Sequence, residues 1–506
     1  MKANQRNIKS TQRSVGTLFT VLALPLALSA CASFLRQPDP APASNLTSAA
    51  YPTLMNQTLP SQANSQADSQ ADTSIAAKGW SDYFSDPKLK QLIQLGLDNN
   101  RDMRTAALNI ELARAQYQLA KAPQLPTVGI NAGTDTVGTK SNSTTTYTAG
   151  LGLTSYELDF WGRVANLKDQ ALQNFFSTQS AKATEQISIV SQIAQSYLAL
   201  AFDQEQLKLA KQTLDAQQKS YELNEAQFKA GIISLAPVKQ AQISVENAKL
   251  AIGNAETQVA QDRNLLALTI GLPAVPDNLV PQGAVDQITT SPLLPAGLPS
   301  ELLQRRPDIA QAEYALKAAG ANVAVARAAY FPKITLTGDV GYSSPSLSNL
   351  FKSGSFGWSV GPSVNLPIFD NGARKATLES ARVEQKIDLA AYEKSIQTAF
   401  REVSDVLAVR ATIDDRLAAQ QRLVDASQTN YDLAAASYKA GISDYLTVLV
   451  AQTSLFSAQQ SQITLKQAAL LSQVNLYTAL GGGAVNNIGL DVTDNTSGNT
   501  TAQVVK

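Results

Sequence analysis

Histidine is missing from all 506 residues, and cysteine occurs once, at Cys31. These absences remove Ser-His and Cys-His pairs, the usual zinc ligand sets and the commonest general base. With three methionines besides, direct ligation of a soft metal has few donors to use. A Ser-Lys or paired-carboxylate site stays open in principle, but no spacing marks one, so the chain reads as non-enzymatic and without a cofactor. Gly133 and Gly138 frame a run that superficially suggests a phosphate loop, yet Thr139 stands where Lys must follow the second glycine. Charged residues make up only 16% and aromatics 6%, and Lys+Arg equals Asp+Glu at 41. No basic face is on offer to a phosphate backbone, which excludes nucleic acid as a partner. An apolar content of 44% is nonetheless ample for a core and excludes simple disorder.

Lys2, Arg6, Lys9 and Arg13 precede an apolar stretch at 15–30 that Pro25 interrupts. That stretch is short for a membrane span and has the layout of a signal peptide. It ends Leu28-Ser29-Ala30-Cys31, which resembles a bacterial lipobox, so Cys31 is the expected site of lipid attachment, palmitate included. Ala32, rather than Asp, follows the cysteine, which favours sorting to the outer membrane. Loss of the leader at 1–30 removes four basic residues and leaves 37 against 41 acidic, a mildly acidic mature chain. Residues 31–79 then carry Pro38, Pro40, Pro42 and a Ser-Gln-Ala-Asp repeat, too polar to pack, and read as a lipidated flexible tether.

The strongest internal signal is a repeat at an offset of 210 residues. Tyr221, Phe228-Lys229-Ala230-Gly231-Ile232, Val238, Ala241-Gln242 and Ser244 recur as Tyr431, Tyr438-Lys439-Ala440-Gly441-Ile442, Val448, Ala451-Gln452 and Ser454. Neither 163–230 nor 373–440 contains Gly or Pro, and both runs are rich in Ala, Gln, Leu and Glu. Such a run predicts a helix of about 100 Å at ~1.5 Å per residue. Ile193, Leu200, Leu207, Leu214, Tyr221 and Phe228 are spaced by seven, and Val403, Leu417, Val424, Tyr431 and Tyr438 keep the register with Arg410 interrupting it. Coiled-coil packing along that stripe is expected, with Gln204, Lys211, Gln218 and Glu225 left wet. Gly231 and Gly441 suit helix C-termini, and helix resumes at Pro237 and around Tyr445, so each rod turns back as a hairpin whose returning arm ends at Gly271 or Gly481.

A different period precedes each rod. Ile334, Leu336, Gly338, Val340 and Tyr342 alternate with Thr, Asp and Gly, and Phe356, Trp358, Val360, Pro362, Val364, Leu366 and Ile368 alternate with Gly, Ser and Asn. In the first copy Val128, Ile130 and Ala132 begin one strand, and Tyr147, Ala149, Leu151 and Leu153 belong to another. Apolar residues alternating with Gly, Thr and Ser suit the wall of a membrane β-barrel. Four strands cannot close one alone, because small barrels need about eight and lipid tolerates no open edge, so the chain is expected to oligomerise.

Leu302-Leu303-Gln304-Arg305-Arg306-Pro307-Asp308-Ile309, then Tyr330-Phe331-Pro332-Lys333, closely resembles the outer-membrane efflux family, the TolC-like channels in their lipoprotein branch. Trp80, Tyr83-Phe84-Ser85-Asp86-Pro87, Glu157-Leu158-Asp159-Phe160-Trp161-Gly162-Arg163, Leu366-Pro367-Ile368-Phe369 and Tyr445-Leu446-Thr447-Val448-Leu449 extend the resemblance over about 80–483. It implies a homotrimer of mixed α/β class: a 12-stranded β-barrel, four strands per chain, continued by a long α-helical coiled-coil tunnel in the periplasm. The expected domain order is signal peptide 1–30, lipidated flexible tether 31–79, first repeat 80–271, Pro-rich equatorial linker 272–298, second repeat 299–481 and, as the remainder, polar tail 482–506. Pro307 and Asp308 should open a helix, Arg305 and Arg306 should pair with carboxylates, and Gly162 and Gly372 should mark strand-to-helix bends.

By the same resemblance the hairpin tips meet a periplasmic adaptor (membrane fusion) protein. The positions here are Gly231, Ile232, Ile233, Ser234, Gly441, Ile442, Ser443 and Asp444. Tyr438 matches a gate tyrosine, but Thr447 and Val450 occupy positions where some relatives carry carboxylate rings. Tyr438, Lys439 and Asp444 are therefore the gate candidates, and Lys229 could join them. The expected function is a passive, lipid-anchored exit channel in the outer membrane of a Gram-negative bacterium, exporting small amphipathic compounds with an inner-membrane transporter of RND type. Type I protein secretion is the alternative within the family, and a coiled-coil lipoprotein that braces the envelope is the rival outside it.

Overall fold

In the computed structural model the described residues are 40–43, 46, 79–283, 288–289 and 306–483. The leader, Cys31, most of the tether, Arg305, much of the 272–298 linker and the tail beyond 483 lie outside them.

In chain order the elements are α1 Trp80–Tyr83, α2 Pro87–Asn99, α3 Arg101–Lys121, β1 Val128–Gly138, β2 Ser143–Glu157, α4 Arg163–Lys229, α5 Leu235–Thr269, α6 Pro307–Ala328, β3 Lys333–Ser344, β4 Phe356–Asn365, α7 Ala373–Lys439 and α8 Tyr445–Ala479. The expected long rods are α4 and α7, each 67 residues without a break. Among the described residues no helix is long and apolar enough to cross a membrane. The chain folds as two compact units, and each takes segments from both repeats.

The first unit, Leu108–Gln179 with Gln311–Ser395, holds the strands, which form one antiparallel sheet in the order β1-β2-β3-β4. Its register sorts the side chains cleanly. One row pairs Val128 with Leu153, Leu153 with Gly338, and Gly338 with Val360, and a second joins Ile130, Leu151, Val340 and Trp358. Opposite faces alternate along a strand, so Asn131, Gly150, Gly341 and Gly357 fall on the other face, as do Asp339 and Ser359. Glycine is needed there: a Cβ on Gly150 or Gly341 would lie 2.5 or 2.4 Å from a neighbouring backbone carbonyl oxygen. β4 stops at Asn365, short of the expected Ile368, since Pro367 offers no N–H to extend a ladder. Gly162 and Gly372 take φ of 71° and 85° at the bends into α4 and α7, where an L side chain would be strained.

The second unit, Asn45–Ala107 with Ser180–Ala310 and Ile396–Lys506, contains the main core and the paired hairpins. Phe84, Leu89, Leu92, Ile93, Ile193, Leu198, Leu200, Leu266, Ile270 and Val474 are sealed from water there. Three helices, α1, α2 and α3, precede the first strands. Asn100 separates the last two, accepting from Asp102 N and Met103 N at 2.7 and 3.2 Å through Oδ1 while its Nδ2 donates to Thr269 O at 2.8 Å. Arg306 donates to Asp308 Oδ2, Glu402 Oε2 and the Ala479 carbonyl, each at 2.8 Å, which joins the start of α6 to the middle of α7 and the end of α8.

The seam of the hairpins departs from expectation. Ile193 and Leu200 are buried, but Leu207, Leu214 and Tyr221 are half-covered and Phe228 is exposed. A second line with the same spacing, Ser196, Ala210, Gln217 and Asn224, is buried instead. Asp203 falls on that line. A long helix beside several neighbours presents more than one seam, and a polar side chain is tolerated in one where it finds a partner.

Candidate functional site

The hairpin tips lie within the second unit, and their geometry follows from the Lys-Ala-Gly-Ile sequence. At the end of α4 the Gly231 N–H donates to Phe228 O and the Ile232 N–H to Gln227 O, both at 2.9 Å. The end of α7 repeats this at 2.9 Å from Gly441 to Tyr438 O and from Ile442 to Ser437 O. This closure requires a left-handed residue, and Gly231 and Gly441 supply it with φ of 70° and 74°. The isoleucine after each glycine is then thrust outward: Ile232 is 71% and Ile442 82% exposed. Leu235, Leu446 and Val450 stand exposed beside them, so the tips present an apolar surface that a single chain leaves uncovered.

The two tips begin their returning helices differently. Helix α5 starts at Leu235, so Pro237 is its third residue and not its first; the missing N–H is harmless there because first-turn amides have no intrahelical acceptor. Ser234 precedes it without a side-chain cap. In α8, by contrast, Asp444 Oδ1 accepts from Thr447 N at 3.0 Å and from Thr447 Oγ1 at 2.7 Å. Those bonds hold the Asp444 carboxyl below its usual range. Asp444 is thus a helix cap, and Thr447 is its partner. Lys439 is exposed in the last turn of α7, where a cation suits the helix dipole, and Lys229 pairs with Glu225 at 3.2 Å.

Tyr438 has a more consequential position. Its hydroxyl lies 2.7 Å from both Asn224 Oδ1 and Gln227 Oε1 on α4. Its ring meets that of Tyr445 at 5.6 Å between centroids. Burial pushes the Tyr438 phenol above its ordinary range, so it remains a neutral donor at any physiological pH. Around it Ala241, Ala434, Tyr445, Val448 and Ala451 form a small buried cluster that includes residues of α5, α7 and α8. The structure therefore brings Tyr438 into a joint between the two hairpins, while Lys439 stays in solvent and Asp444 is committed to its own helix. Sequence reasoning missed Asn224 and Gln227. The available signal was the spacing of seven between Gln217 and Asn224, which marks a polar line within a coiled-coil period.

Sequence reasoning also missed the facing carboxyls of Asp203 on α4 and Asp262 on α5. Desolvation, a hydrogen bond to Asp262 and the charge of Asp262 push Asp203 up to about 7. Asp262 is itself buried and accepts from Gln258 Nε2 at 2.9 Å.

The chain as a whole has counterparts among known proteins. The outer membrane efflux protein family matches residues 92–272 and 298–482. The chain belongs to that family. The toluene efflux pump outer membrane protein TtgC of Pseudomonas putida is 44% identical over 421 residues, covering 81% of this chain and 86% of the relative. The probable outer membrane lipoprotein SilC of Salmonella typhimurium is 40% identical over 412 residues, 80% of this chain and 88% of that one. The solved open state of the Neisseria gonorrhoeae MtrE outer membrane channel superposes with a TM-score of 0.76 at 35% identity, covering 89% of this chain and 98% of the other. The protein is thus an outer-membrane efflux channel with the fold of such channels, and members of the family conduct solutes and do not catalyse reactions.

Proposed function

We propose that three copies of this chain assemble into a passive exit duct, anchored by lipid at Cys31, through which a tripartite pump expels small amphipathic compounds. The observation that carries this reading is the sheet: four strands, apolar on one face and polar on the other, whose outer strands β1 and β4 find no further partner strand among the described residues. In lipid an unpaired edge is untenable, so the strands of several copies must close a wall together, and three copies give twelve. The apolar face carrying Ile130, Leu151, Val340 and Trp358 suits lipid, and the face carrying Asn131, Asp339 and Ser359 suits water.

The tips of the hairpins dock a periplasmic adaptor. The exposed Ile232 and Ile442 favour docking through apolar contact over a charge lock. Tyr438, bonded across to α4, holds the two hairpins together and keeps the entrance narrow until docking separates them. An inner-membrane transporter of RND type supplies the energy. The class of cargo draws support from the relative named for toluene efflux. Deleting the gene should raise cellular accumulation of a lipophilic fluorescent dye several-fold, with restoration by a plasmid copy. Unchanged accumulation together with loss of an exported protein would support type I secretion instead.

A further inference from the structure

The first unit contains one complete joint between repeats. At its lower end β2 does not stop cleanly: residues 158–161 run on across the start of β3. Leu158 N donates to Ile334 O at 2.9 Å, and the Trp161 ring stacks on Phe331 at 4.7 Å and 24°. Trp161 Nε1 donates to Pro332 O at 2.8 Å. Glu157 locks the joint, reaching Arg163 at 2.6 Å and Lys333 at 3.3 Å.

The two free edges carry the halves of a second such joint, unmade. Leu125-Pro126-Thr127-Val128 leads into β1 as Phe331-Pro332-Lys333-Ile334 leads into β3. Leu366-Pro367-Ile368-Phe369 trails from β4, and Phe369 is the fourth residue past the strand, as Trp161 is past β2. Both halves lie at the same end of the sheet, since β1 begins and β4 ends there. Both are apolar and bare: Leu125 is 73%, Ile368 92% and Phe369 86% exposed.

We infer that residues 366–369 of one protomer pack over 125–128 of the next, with Phe369 taking against Leu125 and Pro126 the place that Trp161 holds against Phe331 and Pro332. The partner is a second copy of this chain, and the contact is head to tail, so three of them close a ring. The chemistry differs from that of the internal joint. Thr127 stands where Lys333 does and no carboxylate matches Glu157, so the joint between copies is sealed by apolar side chains where the one within a chain is locked by ions. This inference rests on the trimeric reading above and names the residues that hold its seam.

The test is a pair of cysteines, L125C with F369C, in the full-length protein purified in detergent and treated with a short bis-maleimide. The expected result is a covalent ladder reaching three chains with the double variant, and no ladder with either single variant or the parent. Light scattering on the same samples separates the two readings. Three chains in solution without a ladder overturn the contact and leave the assembly standing. One chain in solution overturns both. Cross-linking by F369C alone means that Phe369 meets its own copy, which also overturns the head-to-tail contact. As a second measurement, I368A with F369A should lower the temperature at which the trimer separates in detergent by several degrees, at low and high salt alike. An unchanged separation temperature would mean that lipid, and not the neighbouring chain, covers these residues.

Discussion

The hydroxyl of Tyr438 lies 2.7 Å from Oδ1 of Asn224, a side chain from which water is wholly excluded. This bond ties the last turn of α7 to α4 and so couples the two hairpins where they approach their tips. Losing such a bond to a buried acceptor costs about 1–3 kcal/mol, because the acceptor is left without a partner. Y438F should therefore loosen the tip without unfolding the chain, seen as a several-fold rise in single-channel conductance in planar bilayers. N224A should do the same, and the double variant should add little to either.

The Asp444 carboxylate caps α8, so D444A should lower thermal stability. D444N should keep the cap and change thermal stability far less. If Asp444 instead acted as a charged gate, D444N would alter conductance and ion selectivity as strongly as D444A. The structure predicts that it will not.

Asp203 is raised to about 7 by burial beside Asp262. An acid whose folded pKa lies above its unfolded one weakens the fold as pH rises between the two values, here from about 4 to 7, and the loss is constant above that. At the offset of 210 the second repeat has Ile413 and Ser472 in the same places, both buried, so the hairpin does not need carboxyls there. Copying that pair with D203I and D262S should raise thermal stability more at pH 8 than at pH 5. An equal gain at both pH values would mean that Asp203 is not titrating in this range.

Arg306 is nearly covered, and its guanidinium serves three acceptors at once. R306K keeps the charge but cannot present a planar fork to them. It should cost nearly as much as R306A, about 2–3 kcal/mol given that both carboxylates keep some access to water. Thermal denaturation followed by helical circular dichroism would measure it.

Much of this architecture was legible in the sequence because its signals are long. The unbroken runs at 163–230 and 373–440 admit little but helix, and the alternation around Val340 and Trp358 admits little but a two-faced strand. The repeat located the turns, since the same Gly-Ile pair closes both tips. What was not legible depends on neighbours. A spacing of seven cannot say which of several stripes faces which helix, so Phe228 was assigned to a seam it does not join, while the buried line through Gln217 and Asn224 went unread. Asp444 was read as a gate candidate and not as a cap, because a cap is recognised by the direction of the Thr447 amide, which a sequence does not give. The break at Asn100 is likewise fixed by Thr269, far away in the chain.

Ion conductance of the purified protein across a planar lipid bilayer tests the central claim most directly. A closed wall of strands from several copies predicts discrete current steps, small for the parent and several-fold larger for Y438F. Absence of steps from both proteins, under conditions in which each remains folded, would contradict it.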